Sequence, residues 1–64
     1  MKIRSEEEII DLFPNGTPVI GPNKEKGIVR SLDRSDTTGF LGLMVKWEGS
    51  GITAFTHASQ VEPA

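Results

Sequence analysis

From Gly27 onward the chain alternates short apolar runs with glycine-bearing breaks. Gly27-Ile28-Val29 is followed by Leu43-Met44-Val45-Lys46-Trp47-Glu48-Gly49, then Ile52-Thr53-Ala54-Phe55, then Ala58-Ser59-Gln60-Val61-Glu62. Runs of this length bounded by turn formers read as strands, and several in close succession read as a small all-β barrel. Length sharpens that reading. A 64-residue chain makes one domain and buries only roughly 60% of its unfolded surface. Its core supplies only a few kcal/mol of net stability. With no cysteine and one histidine, neither disulfides nor a metal cluster can reinforce it. Association between identical copies is the remaining route to extra stability, so a homo-oligomer is one expectation.

The single domain divides into an N-terminal helix and connector, 1–16, and a barrel, 17–64. Ser5-Glu6-Glu7-Glu8 is a capping box, with Ser5 placed to accept from the Glu8 N–H while Glu8 reaches back. Three glutamates in the first turn also suit the positive end of the helix dipole. Ile9, Leu12 and Phe13 share one helical face with Ile10 beside them, and Pro14-Asn15-Gly16 ends the element. A helix of about two turns is too short to persist alone and must pack on the barrel.

Thr17-Pro18-Val19-Ile20 is the first strand, with Pro18 suited to an edge or a strand start. A polar loop, 21–26, leads to the second strand, 27–33. Ile28 and Leu32 then share one face and Val29 takes the other. Arg30 falls on the Ile28 face, so the alternation is imperfect and points to a bulge. A loop over 34–39 and the Phe40-Leu41-Gly42 bridge precede the hairpin at 43–56. Gly49-Ser50-Gly51 is read as its three-residue connection. Glu48 then pairs Ile52, Val45 lies opposite Phe55, and Leu43, Val45, Trp47 and Phe55 form the core face. One helical turn, 57–60, precedes a short closing strand at Val61-Glu62.

Five strands with a helical turn before the last resemble the SH3-like small barrels. The residues carrying the resemblance are Gly27-Ile28-Val29, Val45-Lys46-Trp47-Glu48-Gly49 and Gln60-Val61-Glu62, within a stretch from Thr17 to Glu62. Within that class the chain is distantly similar to the plasmid-borne type II dihydrofolate reductases, which are tetramers of SH3-like subunits around a shared pore. That family carries a Val-Gln-Ile-Tyr run on its fourth strand. The matching run here is Ile52-Thr53-Ala54-Phe55, without the amide or the phenol. The resemblance therefore implies the fold and argues against that activity, leaving a homotetrameric pore enzyme as the enzyme-class alternative.

No other motif implies catalysis, a metal or a cofactor. His57 has no serine, cysteine or paired carboxylate at motif spacing, and Ser59 lacks the strained turn and oxyanion donors a nucleophile needs. Gly21 and Gly27 frame Lys24 and Lys26, but no Gly-Lys-Ser/Thr follows a strand. Residues 6–8 read as a solvated helix start. Four aromatics without tyrosine are a poor basis for a methyl-lysine cage. Trp47 and Phe55 are assigned to the core. Phe40, between two glycines beside a polar loop, is either a lid on the barrel end or an exposed anchor for a partner.

The net charge of −2 is unevenly spread. Lys24, Lys26, Arg30, Arg34 and Lys46 outweigh Glu25, Asp33 and Asp36 in the middle of the chain, whereas both ends are acidic. Duplex binding through phosphates calls for a stronger basic excess. These five cations instead suit an acidic protein, RNA or single-stranded DNA, or ordinary solvation with local pairing. The N-terminal residues contain no apolar core of a secretory signal, and no apolar run reaches the roughly 20 residues that span a bilayer. A cytoplasmic location is expected. The expectation for function is a non-enzymatic interaction or regulatory module binding a protein partner, of a kind suited to a phage or mobile element. Its site residues are Phe40, Arg30, Arg34, Lys46, Lys24 and Lys26. Nucleic-acid binding through the basic 24–46 surface is the alternative.

Overall fold

A computed structural model describes residues 4–64, so the first three residues of the expected 1–16 segment lie outside the described residues. One short helix is followed by five strands: α1 (Glu6–Leu12), β1 (Pro18–Ile20), β2 (Lys26–Arg34), β3 (Leu41–Trp47), β4 (Thr53–His57) and β5 (Glu62–Pro63). A single 3-10 turn, Ala58–Gln60, separates β4 from β5. The strands form one open antiparallel sheet in the order β4-β3-β2-β1-β5. Among the described residues no helix is long and apolar enough to cross a membrane.

The helix begins as its sequence dictates. Ser5 has an extended backbone and accepts from the Glu8 N–H at 3.2 Å, with three glutamates in the first turn. Ile9 and Phe13 turn into the core while Ile10 stays exposed. They join Val19, Val29, Leu43, Val45, Ala58 and Val61, with Leu12, Leu32, Leu41 and Trp47 packed around them. The core therefore lies between the inner face of the sheet, α1 and the 3-10 turn.

Two expected registers are corrected. On β2 the ladder shifts between Val29, opposite Val45, and Ser31, opposite Met44. Arg30 is the extra residue of the anticipated bulge. The shift puts Val29 and Leu32, not Ile28 and Leu32, on the core side, and leaves Ile28 45% exposed. At the β3–β4 hairpin, Lys46 pairs Thr53, Val45 pairs Ala54 and Leu43 pairs Thr56. The connection is four residues, 48–51. Gly51, at φ +71°, donates its N–H to the Trp47 carbonyl at 2.7 Å, and Trp47 donates to Ile52 at 3.0 Å. The Glu48 N–H bonds across to Lys26 instead.

This one-residue slip exchanges the two faces of β4. Ala54 and Thr56 point inward, and Phe55 leaves the core face for the outer one, opposite Met44. There Phe55 lies over Gly42, where a Cβ would come within 2.5 Å of its ring. On the inner face Gly27 plays the matching part: a Cβ there would meet Val45 at 2.5 Å and Trp47 at 2.9 Å. Trp47 is half-buried on the core side, as its sequence position implied.

Arg4 ties the segment before the helix to the end of the chain. Its side chain is buried to 1% exposure. Nη1 donates to the carbonyls of Ala58 and Val61, the latter at 2.7 Å, and Nη2 reaches Glu62 Oε2 at 2.7 Å. The guanidinium also sits 5.2 Å from the centre of the Phe13 ring. Only Nε lacks a partner among the described residues.

Candidate functional site

Phe40 sits in the loop joining β2 to β3, and hydrogen bonds fix that loop. Ser35 receives the Gly39 N–H on its carbonyl at 2.8 Å and donates its own N–H to Phe40 at 3.0 Å. The Ser35 hydroxyl oxygen accepts from the N–H groups of Thr37 and Thr38 at 3.3 and 3.2 Å. Thr38 Oγ1 in turn accepts from the Phe40 N–H at 3.3 Å. Gly39, at φ +74°, makes the reversal that brings Phe40 back toward β3.

Fixed backbone and free side chain are combined here. Phe40 is 68% exposed, more than any other large apolar residue among those described. Phe40 thus stands exposed on its loop rather than packed into the core. Beside it runs a groove of about 510 Å³. Ile9, Leu41 and Ala58 supply apolar lining, with Thr38, His57, Ser59 and Gln60 around it and Arg4 and Glu6 contributing at one side. His57 meets Phe55 edge-on, ring centres 5.3 Å apart and planes at 89°. That contact, and its position at the groove, give His57 a packing role. Among the described residues no cluster of three or more metal-binding side chains forms.

Charge near the groove is paired internally. Arg34 grips Glu6 through two contacts, Nη2 to Oε1 at 2.9 Å and Nη1 to Oε2 at 3.0 Å, and Nη1 also donates to the Gly39 carbonyl at 2.7 Å. The hydrogen bonds and charge of Arg34 hold the Glu6 carboxyl below its ordinary value, and Glu6 raises Arg34 in return. Arg34 thus links α1 to the Phe40 loop. Its exposed partner is Glu6, whereas local sequence had suggested Asp33 or Asp36.

The remaining sequence-proposed cations lie elsewhere. Lys46 pairs Ile28 across β2–β3, and both line an outer-face hollow of about 500 Å³ with Arg30, Trp47, Glu48 and Gly51. Lys26 starts β2, two residues before Ile28 and so on the same face, and Lys24 lies in the preceding turn at φ +65°. Lys24, Lys26, Arg30 and Lys46 form no ion pair with the described residues. The six proposed residues therefore split into Phe40 at the groove with Arg34 bonded to its loop, Lys26, Arg30 and Lys46 on the outer face, and Lys24 in the turn before β2. Ile9, Leu41, Ala58 and Arg4 had not been read as site residues. The first three carry only a core signal in sequence, and Arg4 finds its partners 54 to 58 residues away.

Compared with protein-family models, curated proteins and solved structures, the chain matches none.

Proposed function

We propose that this chain is a non-enzymatic interaction module that seats an apolar segment of a partner protein in the groove beside Phe40. The observation that carries this reading is Phe40, 68% exposed on a hydrogen-bonded loop at the side of an apolar groove. Covering a side chain of this kind contributes about 1.5–3 kcal/mol. Because the loop is already ordered, little conformational freedom is lost when a partner docks. Aromatic anchors beside a desolvated pocket and ringed by polar groups are where binding energy concentrates. Arg34 with Glu6 and Arg4 with Glu62 neutralise one another, which favours an uncharged apolar segment over an acidic or basic one. The reading of the scaffold as an SH3-like barrel is supported by β1 pairing both β2 and β5, and by the 3-10 turn between β4 and β5.

The test is affinity capture from the native host with the wild-type chain and Phe40→Ala. The substitution is expected to leave the melting temperature nearly unchanged, because the ring supports little of the core, and to remove the captured partner. Equal capture by both proteins, with Phe40→Ala folded, contradicts the proposal.

One observation supports a second reading. Arg30 and Lys46 flank Ile28 in the outer hollow, with Lys26 on the same face, a basic groove suited to the backbone of RNA or single-stranded DNA. That reading requires binding that weakens steeply with salt and on Arg30→Ala. Absence of binding at low salt removes it.

A further inference from the structure

The two edges of the sheet are unlike. β5 is two residues long and carries Pro63, which has no N–H to offer a neighbouring strand. β4 is five residues long, and among the described residues nothing pairs with its side away from β3. The register fixes what that side presents. Trp47 donates to the Ile52 carbonyl, and bonded positions alternate along an antiparallel ladder. Ala54 and Thr56 therefore bond toward β3, opposite Val45 and Leu43. The N–H and C=O groups of Thr53 and Phe55 and the N–H of His57 turn outward, while the His57 carbonyl accepts the first bond of the 3-10 turn.

Free edges are usually guarded by charge, proline or a bulge. Here no charged residue and no proline occurs from Gly49 to Val61, and the β3–β4 register runs without a break. The edge is also rich in residues that favour strands: Thr53, Phe55 and Thr56, preceded by Ile52 at 62% exposure.

We propose that β4 is a homodimerisation edge, two copies pairing antiparallel about a two-fold axis at Phe55. Phe55 then lies opposite Phe55 of the second copy, and Thr53 lies opposite His57 in both directions. The Phe55 pair can exchange two hydrogen bonds, and in each Thr53–His57 pair the His57 N–H can donate to the Thr53 carbonyl. A second copy fits because the edge is self-complementary. It brings no like charges together, and it sets two aromatic rings side by side on the outer face, where such cross-strand pairs are favourable. The pairing also closes on itself. Both β4 edges are consumed, and the β5 edges left outside are too short, and blocked by Pro63, to continue the ladder.

Sedimentation equilibrium on the full chain tests this. The expected species has twice the 7.0 kDa chain mass at high concentration and dissociates on dilution. Amide exchange at Phe55 and His57 slows as the dimer forms. Thr53→Pro deletes one outward N–H without removing a bond to β3. Thr53→Lys places two charges in each dimer interface and raises the dissociation constant about tenfold or more. Phe40→Ala leaves dimerisation unchanged, which separates this edge from the groove. Circular dichroism checks each variant's fold, and if Thr53→Pro unfolds, Thr53→Lys at its exposed position carries the test. A monomer at every attainable concentration with fast exchange at Phe55, a dimer indifferent to Thr53→Lys, or open-ended assembly would overturn the proposal.

Discussion

Arg4 joins the two ends of the described chain through a buried side chain whose acceptors are backbone carbonyls, Ala58 and Val61. Removing it takes the donor from the buried Val61 carbonyl, at about 1–3 kcal/mol for an unsatisfied group, while the Ala58 carbonyl keeps its bond within the 3-10 turn. Arg4→Ala is therefore expected to lower unfolding free energy by about 1–3 kcal/mol, read as a shift of the urea midpoint. Arg4→Lys should recover only part of it, because one ammonium cannot reproduce the fork that spans two carbonyls and Glu62. A midpoint unchanged by Arg4→Ala would show that the strap contributes nothing. Nothing in the sequence advertises this role. The acceptors are main-chain groups more than fifty residues away, and such a contact leaves no local pattern.

Glu6 gives a residue-scale prediction about pH. Its carboxyl titrates below the ordinary 4.5 in the folded chain because Arg34 bonds to its charged form. A lowered folded value stabilises above the unfolded value, and that stabilisation is lost as pH falls through the folded one. Wild type should thus lose stability relative to Glu6→Gln as the solution is acidified from 4.5 through the lower folded value. The effect is small and shrinks with salt, since both partners are exposed. Arg34, raised above its ordinary value by Glu6, stays charged across this range and adds no pH dependence of its own. Parallel melting curves for the two proteins down this acid range would contradict the assignment.

At the scale of elements, the β3–β4 hairpin shows where local sequence stops being sufficient. Two glycines flank Ser50, and a three-residue or a four-residue connection satisfies the same letters. The choice rests on Gly51 adopting a positive φ and donating to Trp47, while the Glu48 N–H finds Lys26 on another strand. That second bond is tertiary, so the register could not be read from the hairpin alone, and Phe55 was assigned to the wrong face. The bulge at Arg30 was legible because its polar side chain broke the apolar alternation. The consequence for Ile28 and Leu32 was not, because a bulge reverses faces on one side of itself only. Helix α1 was legible because its cap, charges and apolar spacing are all local. Gly51→Ala should cost about 1–2 kcal/mol by forcing a side chain into left-handed backbone. Gly49→Ala, with open space around it and no such φ, should cost far less. Equal effects in chemical denaturation would contradict the observed connection.

For the whole molecule, the sheet presents an anchored aromatic at one groove, a basic hollow on its outer face and an unguarded β4 edge. The sequence singled out Phe40 because it stood between glycines beside a polar loop. It could not show that Ile9, Leu41 and Ala58, three residues with ordinary core patterns, converge beside that ring. The basic residues were legible as a set but not as two places, since Arg34 is drawn away by Glu6 on the helix.

The proposed docking of a partner at Phe40 is open to direct test in place. The most direct measurement replaces Phe40, and in a separate protein Arg30, with a photo-reactive benzophenone side chain and irradiates each in the native host. Docking at the groove predicts a discrete protein adduct from position 40, mapping to an uncharged apolar segment, and no such adduct from position 30. Adducts confined to position 30, or none at position 40 from a folded protein, would contradict it.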